Sequence, residues 1–305
     1  MKIYALPANE DWICDQLVED FNVECDDISV NTPREADIIW LISDWRWQSL
    51  PLDLLRAKKV VTTVHHIVPS KFDKNAVVEF HARDRITDVY HVYNQRTYDV
   101  VTSLTKKNVV LLPYWANGNL WRKTEDKKTL RAKHGLPDEC KIIGSFQRDT
   151  EGYDLLTPKL EKGPDILADF LISEHTKWKD DPRNNMKPHV LLAGWRRQYV
   201  IGRLRAGGVP YTYIERPAQT ILNDLYQTLD LYAVTARCEG GPQALIECGL
   251  LNVPVVSTPV GIAEQVLPES AIHRDVSSAI ACVPNVDHMR LPHGMKPYRD
   301  FFLSL

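Results

Sequence analysis

Long hydrophobic runs are missing from this sequence of 305 residues. No apolar stretch approaches the ~20 residues that a membrane-spanning helix needs. The N-terminus reads Met-Lys-Ile-Tyr-Ala-Leu-Pro and is followed soon by acidic residues, which is unlike a signal peptide. We therefore expect no transmembrane segment and a cytoplasmic protein, while peripheral contact with a membrane is compatible with the sequence.

Cysteine is sparse and carries no metal-binding pattern. The six cysteines are scattered, form no Cys-x-x-Cys motif and have no histidine at metal-ligand spacing: Cys14, Cys25, Cys140, Cys238, Cys248 and Cys282. We expect reduced, mostly buried thiols and no metal site.

A strong net charge is also missing, since the formal value is −3 at neutral pH. Nothing therefore draws the whole molecule towards nucleic acid. A local basic run contains Arg196, Arg197, Arg203 and Arg205. We interpret most of these arginines as a solvated helix face.

Strand-like runs alternate with helical or loop segments along the whole chain. They fall at residues 2–6, 37–43, 59–64, 89–93 and 109–112 in the first half, and at 141–146, 189–193, 211–214, 229–235 and 253–257 in the second. Most are continuously apolar, which is typical of strands covered on both faces. The pattern predicts an α/β protein with two Rossmann-like, doubly wound parallel sheets that bind ligands beyond the carboxyl ends of their strands.

A polar segment, residues 121–137, separates the two halves. Its Lys/Glu richness predicts an exposed connecting helix that ends at Gly135 and Pro137. The predicted domains are residues 1–122 and 123–290, with residues 291–305 packing back on the first domain. With two sheets, we expect the ligand in the cleft between them.

Two carboxylates, Glu239 and Glu247, flank a predicted helix start. The segment Glu239-Gly240-Gly241-Pro242 follows a strand, and Pro at the first helical position leaves nearby backbone N–H groups free to bind an anion. A carboxylate can accept hydrogen bonds from both hydroxyls of a ribose. Glu247 alone would be interpreted as a solvated helix residue, but together the features favour binding of a nucleotide-sugar.

The spacing Glu239-x7-Glu247 and the segment up to residue 264 resemble the donor-site signature of retaining glycosyltransferases of family four, which have the GT-B fold. The usual pattern is Glu-Gly-Phe-Pro, a helix with the second Glu, Gly-x-Pro-Val-Val and Gly-Gly-x-x-Glu. Here Gly241, Asn252 and Val260 depart from that pattern. The resemblance implies GT-B architecture, in which an acceptor-side domain and a nucleotide-sugar-binding domain face each other across a cleft.

The family also holds the donor diphosphate with an Arg and a Lys-Gly pair. Arg148 follows a predicted strand and Lys162-Gly163 opens a helix, so the resemblance implies that both bind the diphosphate, together with the amides of Gly240 and Gly241. A lysine at a helix start opposes the helix dipole unless an anion lies nearby, which also favours a binding role for Lys162.

The loop of residues 149–160 is longer than the family's usual connection. For Arg148 an alternative therefore stays open, namely an ion pair with Asp149 or Glu151 on that loop.

His65 and His66 end a predicted buried strand and are similar to the family's histidine, which contacts the donor sugar at the reaction centre. The sequence does not decide which of the two faces the site, and we favour His65. No third ligand accompanies them, so a metal site is not expected. Trp45 and Trp47 follow another strand, where they form an acceptor-side sugar platform or, as we prefer, cover the sheet edge.

The resemblance implies a retaining, metal-independent glycosyltransferase that needs no cofactor besides its nucleotide-sugar co-substrate. Glu247 would bind the ribose, and Glu239 with His65 or His66 would form the catalytic centre. The acceptor would be a carbohydrate, a lipid-linked or another hydroxyl compound, deprotonated with help from the leaving phosphate. Two other functions stay open: a catalytically idle nucleotide-sugar-binding module and a GT-B-like nucleotide-sugar epimerase.

Overall fold

The computed structural model describes residues 1–10, 13–152, 154–183 and 186–305. These residues form two compact units: unit 1 contains residues 1–117 and 288–305, and unit 2 contains residues 118–287. The assignment of the two halves to acceptor and donor stays a prediction. In the described part of the chain, no helix combines the length and apolar composition that crossing a membrane needs.

Unit 1 contains a parallel sheet and five α-helices within its described residues. The strands, in spatial order, are β1 (Ile3–Ala5), β2 (Ile38–Leu41), β3 (Lys59–Val64), β4 (Val89–Val92) and β5 (Asn108–Leu111). The helices are α1 (Ile13–Glu24), α2 (Leu52–Ala57), α3 (Lys74–Asp84), α4 (Gln95–Leu104) and the last helix of the chain, α11 (Lys296–Leu303). Every residue of β2 and β4 is buried, as expected for strands with both faces covered.

The sheet of unit 1 is doubly wound because a short extended segment lies on the outer side of β1. Ser29 forms a parallel bridge with Ile3. The N–H of Ile3 donates to the carbonyl of Ile28 at 2.8 Å, and the N–H of Val30 donates to the carbonyl of Ile3 at 2.9 Å. The chain thus moves first to one side of β1 and then to the other, as in doubly wound folds with the order 2-1-3-4-5.

Unit 2 has a second parallel sheet, with the spatial order β10-β9-β6-β7-β8. Its strands are β6 (Lys141–Ser145), β7 (Pro188–Gly194), β8 (Tyr211–Glu215), β9 (Leu231–Val234) and β10 (Val255–Ser257). Its described helices are α5 (Lys127–Lys133), α6 (Pro164–Asp180), α7 (Gln198–Ala206), α8 (Gln219–Gln227), α9 (Gln243–Leu250) and α10 (Ala263–Val266). The chain reverses its progress across the sheet between β6 and β9, which places the topological switch point there.

All ten predicted strands are present, and their ends differ from the predicted ones by no more than two residues. The prediction of two parallel, Rossmann-like sheets is therefore confirmed. Continuous apolar runs were a sufficient signal because helices cover both faces of such sheets.

The helix predicted to be an exposed connection, α5, is exposed at most of its residues, but it packs on the rest of unit 2 through two buried side chains. Leu130 is fully buried, and Arg131 is 5% exposed. The guanidinium of Arg131 donates to the carbonyl of Thr228 at 2.9 Å and to the carboxylate of Asp230 at 2.6 Å. These partners lie about a hundred residues away in sequence, so the charge of the helix gave no sign of them. The helix ends at Lys133 with His134 as its C-cap, and the predicted Gly135 follows directly with φ +65°.

Helix α11 completes the core of unit 1 with aromatic side chains. The ring of Phe302 lies 5.6 Å from that of Phe21 and 5.1 Å from that of Trp40. The hydroxyl of Tyr298 donates to the carbonyl of Pro113 at 2.9 Å. Truncating a buried aromatic residue typically costs about 3–5 kcal/mol, so the end of the chain is an integral part of this core.

Candidate functional site

Two loops meet at the switch point of unit 2. One follows β6 and contains Gln147 and Arg148, and the other follows β9 and leads to α9. The side-chain amide of Gln147 donates to the carbonyl of Lys162 at 2.9 Å, which ties the segment before α6 to the first loop. Ligands of open parallel sheets bind at this kind of place, outside the carboxyl ends of the strands.

Gly163 lets the segment before α6 lie directly against the end of β9. Its φ is +61°, and a Cβ at this position would overlap the carbonyl oxygen of Thr235. The N–H of Arg237 donates to the carbonyl of Glu161 at 2.8 Å, which fixes the same contact from the other side. Glycine is therefore required both for the left-handed conformation and for the close approach. The result is that Lys162 lies beside the loop that carries Glu239.

Lys162 and Glu239 form an ion pair, so the structure brings two of the predicted residues together. The ammonium group of Lys162 donates to the carboxylate of Glu239. The two side chains are 22% and 12% exposed, and in such partly desolvated surroundings charges interact more strongly than on an open surface. The pair provides a positive and a negative group side by side at the switch point.

Glu247 lies on α9 and accepts a hydrogen bond from the hydroxyl of Tyr226. Its carboxyl group is largely shielded from water, and this burial raises the pKa of Glu247 to about 7, although the phenol acts in the opposite direction. Burial and the neighbouring carboxylate raise the pKa of Tyr226 well above its ordinary value, so the phenol is the donor. Glu247 is thus not a solvated helix residue, and Tyr226 is a partner that the sequence did not reveal.

Gly240 and Gly241 are buried at the start of α9. The helix begins at Gln243, one residue later than predicted, with Pro242 as its N-cap. The carbonyl of Gly241 accepts a hydrogen bond from the N–H of Ile262 at 2.6 Å. The segment before Ile262 therefore packs over this loop. That the amides of Gly240 and Gly241 bind phosphate stays a prediction.

Arg148 is held by a carbonyl and an aromatic ring rather than by Asp149. Its Nε donates to the carbonyl of Thr150 at 2.7 Å, and its guanidinium carbon lies 5.4 Å from the ring centre of Trp195. Asp149 is fully buried and pairs with Arg197 at 3.3 Å. The alternative of an Arg148–Asp149 pair is therefore wrong, because Asp149 points into the unit.

The basic run after β7 is not uniformly a solvated face. Arg197 is fully buried and Arg196 is 8% exposed, so the interpretation was wrong for these two residues. Arg197 donates to the carbonyls of Ser145 and Ala193, at the ends of β6 and β7. Buried carbonyl groups need donors, and a guanidinium at a strand end supplies several at once. The position of both arginines directly after a buried strand was the signal that could have identified them.

His65 and His66 differ in their surroundings within unit 1. The Nε2 of His65 donates to the carbonyl of Ile42 at 2.8 Å, which leaves Nδ1 to accept from the hydroxyl of Tyr114 at 3.3 Å. Burial lowers the pKa of His65, so its ring is neutral. His66 instead lines a pocket of about 260 Å³. The catalytic roles of both histidines stay predictions.

Metal ligands are not grouped in the part of the chain that the structure describes. Within those residues, no set of three or more His, Cys, Asp or Glu side chains could hold a metal ion. Metal independence of the reaction remains a prediction, since it concerns chemistry and not this arrangement alone.

The chain matches known proteins by structure but not by sequence. No protein-family model matches the chain, and no curated protein matches it. Among solved structures, HepE from Anabaena in complex with UDP and glucose is 14% identical with a TM-score of 0.68, covering 88% of this chain and 84% of that one. Sucrose-phosphate synthase from Thermosynechococcus elongatus is 17% identical with a TM-score of 0.62, covering 98% and 81%.

A third structure agrees with these two. The UDP-forming α,α-trehalose-phosphate synthase from Burkholderia xenovorans is 13% identical with a TM-score of 0.61, covering 90% of this chain and 74% of that one. The chain has the GT-B fold. At these identities the similarity shows the GT-B fold alone, and membership of family four stays a prediction.

Proposed function

We propose that this GT-B chain is a retaining, metal-independent glycosyltransferase that moves a sugar from a nucleotide-diphosphate-sugar to an acceptor hydroxyl. The observation that carries the proposal is the pairing of Lys162 with Glu239 at the switch point of unit 2. The half-buried Glu247 belongs to the helix that follows Glu239. The HepE structure, which has the same fold, contains UDP and glucose, and this supports a donor of that class.

Glu247 is the proposed ribose anchor. One of its oxygens accepts from the hydroxyl of Tyr226, and a carboxylate has further acceptor sites for the two ribose hydroxyls. Because Tyr226 is 1% exposed, its hydroxyl is fixed and orients the carboxylate. A fixed anchor costs less conformational entropy on binding than a mobile one.

Lys162 and Arg148 are the proposed partners of the diphosphate. Negative charge develops on the leaving phosphate as the glycosidic bond breaks, and a positioned cation stabilises that charge. The carboxylate of Glu239 orients the ammonium group of Lys162, and its proposed second role is contact with the donor sugar. In retention by front-face transfer the leaving phosphate takes the acceptor proton, so Glu239 need not be a nucleophile.

The test begins with a thermal-shift screen of UDP-, GDP-, ADP- and CMP-sugars, because a bound ligand raises the apparent stability. With the donor found, calorimetry and turnover are measured for two variants. We expect Glu247→Ala to weaken donor binding about tenfold or more. We expect Lys162→Ala to lower the rate of transfer or donor hydrolysis about a hundredfold while changing affinity much less.

Matched controls are Glu269→Ala and Lys128→Ala, which change exposed residues of unit 2. Both should behave as the unmodified protein. Unchanged donor binding in Glu247→Ala together with unchanged turnover in Lys162→Ala would contradict the proposal. Donor binding without transfer or hydrolysis would indicate an idle binding module, and conversion of the donor sugar without an acceptor would indicate an epimerase.

A further inference from the structure

The pocket that His66 lines in unit 1 has a volume of about 260 Å³. Asp44 contributes to it from the end of β2, His66 from the end of β3, and Glu79 and Arg83 from α3. It therefore lies beyond the carboxyl ends of parallel strands, where such sheets present ligand-binding groups. The function proposed above assigns no ligand to this pocket.

Part of the pocket wall is apolar and aromatic. Val64, Phe72 and Phe80 line it, and the rings of Phe72 and Phe80 meet edge to face with their centres 6.5 Å apart. Apolar walls of this kind pack against the C–H groups of a ligand, and they leave its orientation to a few polar groups.

The first polar group is the pair of Arg83 and Asp44. Their nitrogen and oxygen atoms are 3.0 Å apart, and the side chains are 8% and 19% exposed. The Nε–H of Arg83 is buried and meets no hydrogen-bond acceptor among the described residues. An unsatisfied buried donor is destabilising, so an acceptor oxygen supplied at this position would be favourable.

The second polar group is the carboxylate of Glu79. The indole N–H of Trp47 donates to it at 2.6 Å, which holds it at the pocket. The charged side chains that line the pocket are Asp44, Glu79, Lys71 and Arg83, so their formal charges cancel. A hydroxyl group can both donate to the carboxylates and accept from the guanidinium, whereas a phosphate can only accept and would face two carboxylates.

We propose that this pocket binds one ring of an uncharged carbohydrate, and that this sugar is the acceptor. The volume is below the ~300–1,000 Å³ typical of drug-sized ligands, which suits a single ring. The assignment as acceptor rests on the proposed function. In that reaction the acceptor oxygen bonds to the anomeric carbon of the donor sugar, the bond from that carbon to the phosphate breaks, and the acceptor proton leaves with the phosphate.

The test measures binding to the whole chain without any donor, by saturation-transfer NMR. The probes are the methyl α-glycosides of glucose, galactose and mannose, with glucose 6-phosphate as the charged comparison. At least one methyl glycoside should receive saturation and glucose 6-phosphate should not. Glu79→Gln should weaken glycoside binding about five- to tenfold, because a carboxylate acceptor is replaced by an amide while the oxygen facing Trp47 is kept.

The matched control is Asp53→Asn, an exposed residue of unit 1 outside the pocket, which should leave binding unchanged. Tighter binding of glucose 6-phosphate, strengthened by Glu79→Gln, overturns the proposal in favour of an anionic ligand. If a nucleotide-sugar binds but no methyl glycoside does, the pocket is not a sugar site and the proposed function stands. If a methyl glycoside binds but no nucleotide-sugar does, the proposed function is wrong and the pocket is still a sugar site.

Discussion

The strand ends of unit 2 carry buried and half-buried ion pairs, whereas those of unit 1 combine aromatic rings and neutral imidazoles with the ion pair of Arg83 and Asp44. In unit 2, Asp149 pairs with Arg197 and Lys162 pairs with Glu239. In unit 1, the ring of His65 lies 5.2 Å from that of Tyr93, with the buried His91 close by. Both units are doubly wound parallel sheets, so the architecture leaves the chemistry of the strand ends open. The charged strand ends of unit 2 are compatible with the proposed diphosphate, and the aromatic strand ends of unit 1 are compatible with the proposed neutral ligand.

One physical cause, burial, acts on ionisable groups of both units. It lowers the pKa of His91 to about 3 and raises the pKa of Glu247 to about 7. Each group is thereby held in its neutral form over a wider range of pH. The consequences for stability have opposite signs, because one group is a base and the other is an acid.

The largest effect is expected from breaking the buried charge pair of unit 2. Arg197→Met would leave the carboxylate of Asp149 buried without its partner and should lower the free energy of unfolding by about 3–5 kcal/mol. Urea denaturation followed by tryptophan fluorescence measures this. Arg203→Met, at a side chain that is 39% exposed, should cost less than about 1 kcal/mol. Equal losses in the two variants would contradict the distinction between buried and exposed pairs.

The next effect concerns the close backbone contact that positions Lys162. Gly163→Ala combines a left-handed φ with an overlap on the carbonyl of Thr235, and we expect a loss of about 3 kcal/mol. Gly135→Ala is the matched control, since its φ is +65° but a Cβ there has no neighbour within 4 Å. That variant should lose about 1 kcal/mol through the backbone alone. Similar losses would mean that the contact with Thr235 adds nothing.

A smaller effect is expected from acid. The unfolded chain protonates His91 near its ordinary pKa while the folded chain does not, so stability falls as pH drops below about 6.5, by about 1.4 kcal/mol per pH unit. Glu247 acts oppositely: the folded chain takes up a proton near pH 7 and the unfolded chain only near 4.5, so acidification from pH 7 stabilises. His91→Gln should reduce the acid loss and Glu247→Gln should increase it. The urea midpoints of the unmodified protein and of both variants at pH 7.5, 6 and 5 measure how stability depends on pH. If all three proteins show the same pH dependence, His91 and Glu247 do not cause it.

The smallest effect concerns donor binding. If the ionised form of Glu247 binds ribose, affinity should fall about tenfold from pH 8 to pH 6, as expected for a pKa of about 7. Tyr226→Phe removes a hydrogen bond that lowers this pKa, so the midpoint should move to higher pH. Calorimetry at several pH values measures the midpoint, and Tyr211→Phe, in β8, serves as the control. A midpoint that Tyr226→Phe leaves in place would argue against the phenol as the partner that tunes Glu247.

The strands were predictable because most of them are continuous apolar runs. The extended segment at Ser29 was missed because a single bridge with Ile3 leaves almost no periodicity to recognise. The burial of Arg197 and the docking of α5 were missed for a different reason. In both, an arginine donates to a backbone carbonyl that is distant in sequence, Thr228 for Arg131 and Ser145 for Arg197, and a sequence shows the charge but not its partner.

The candidate site residues were chosen from the sequence, but their arrangement could not be predicted from it. Glu239 and Lys162 are separated by 77 residues in sequence, and their pairing depends on Gly163 lying against the end of β9. Tyr226, the partner of Glu247, gave no signal because an aromatic residue in an amphipathic helix is usually a core residue. That His66 rather than His65 lines the pocket of unit 1 also depended on tertiary contacts, since the two residues are adjacent and differ in their neighbours alone.

The way the chain re-enters unit 1 has a practical consequence for protein engineering. The N–H of Ala116 donates to the carbonyl of Met289 at 2.8 Å, and the N–H of Leu291 donates back to the carbonyl of Ala116 at 3.0 Å. The exit and return points are thus hydrogen-bonded neighbours, and Ala116 and Arg290 form a parallel bridge. Because parallel segments need a crossover connection rather than a tight turn, a longer glycine-rich linker would have to replace the residues between them to keep Phe302 against Trp40 in a shorter chain. A simple truncation after residue 117 would remove α11 and its aromatic side chains. The apolar side chains that Phe302 covers, Phe21 and Trp40, would then be exposed and would favour aggregation.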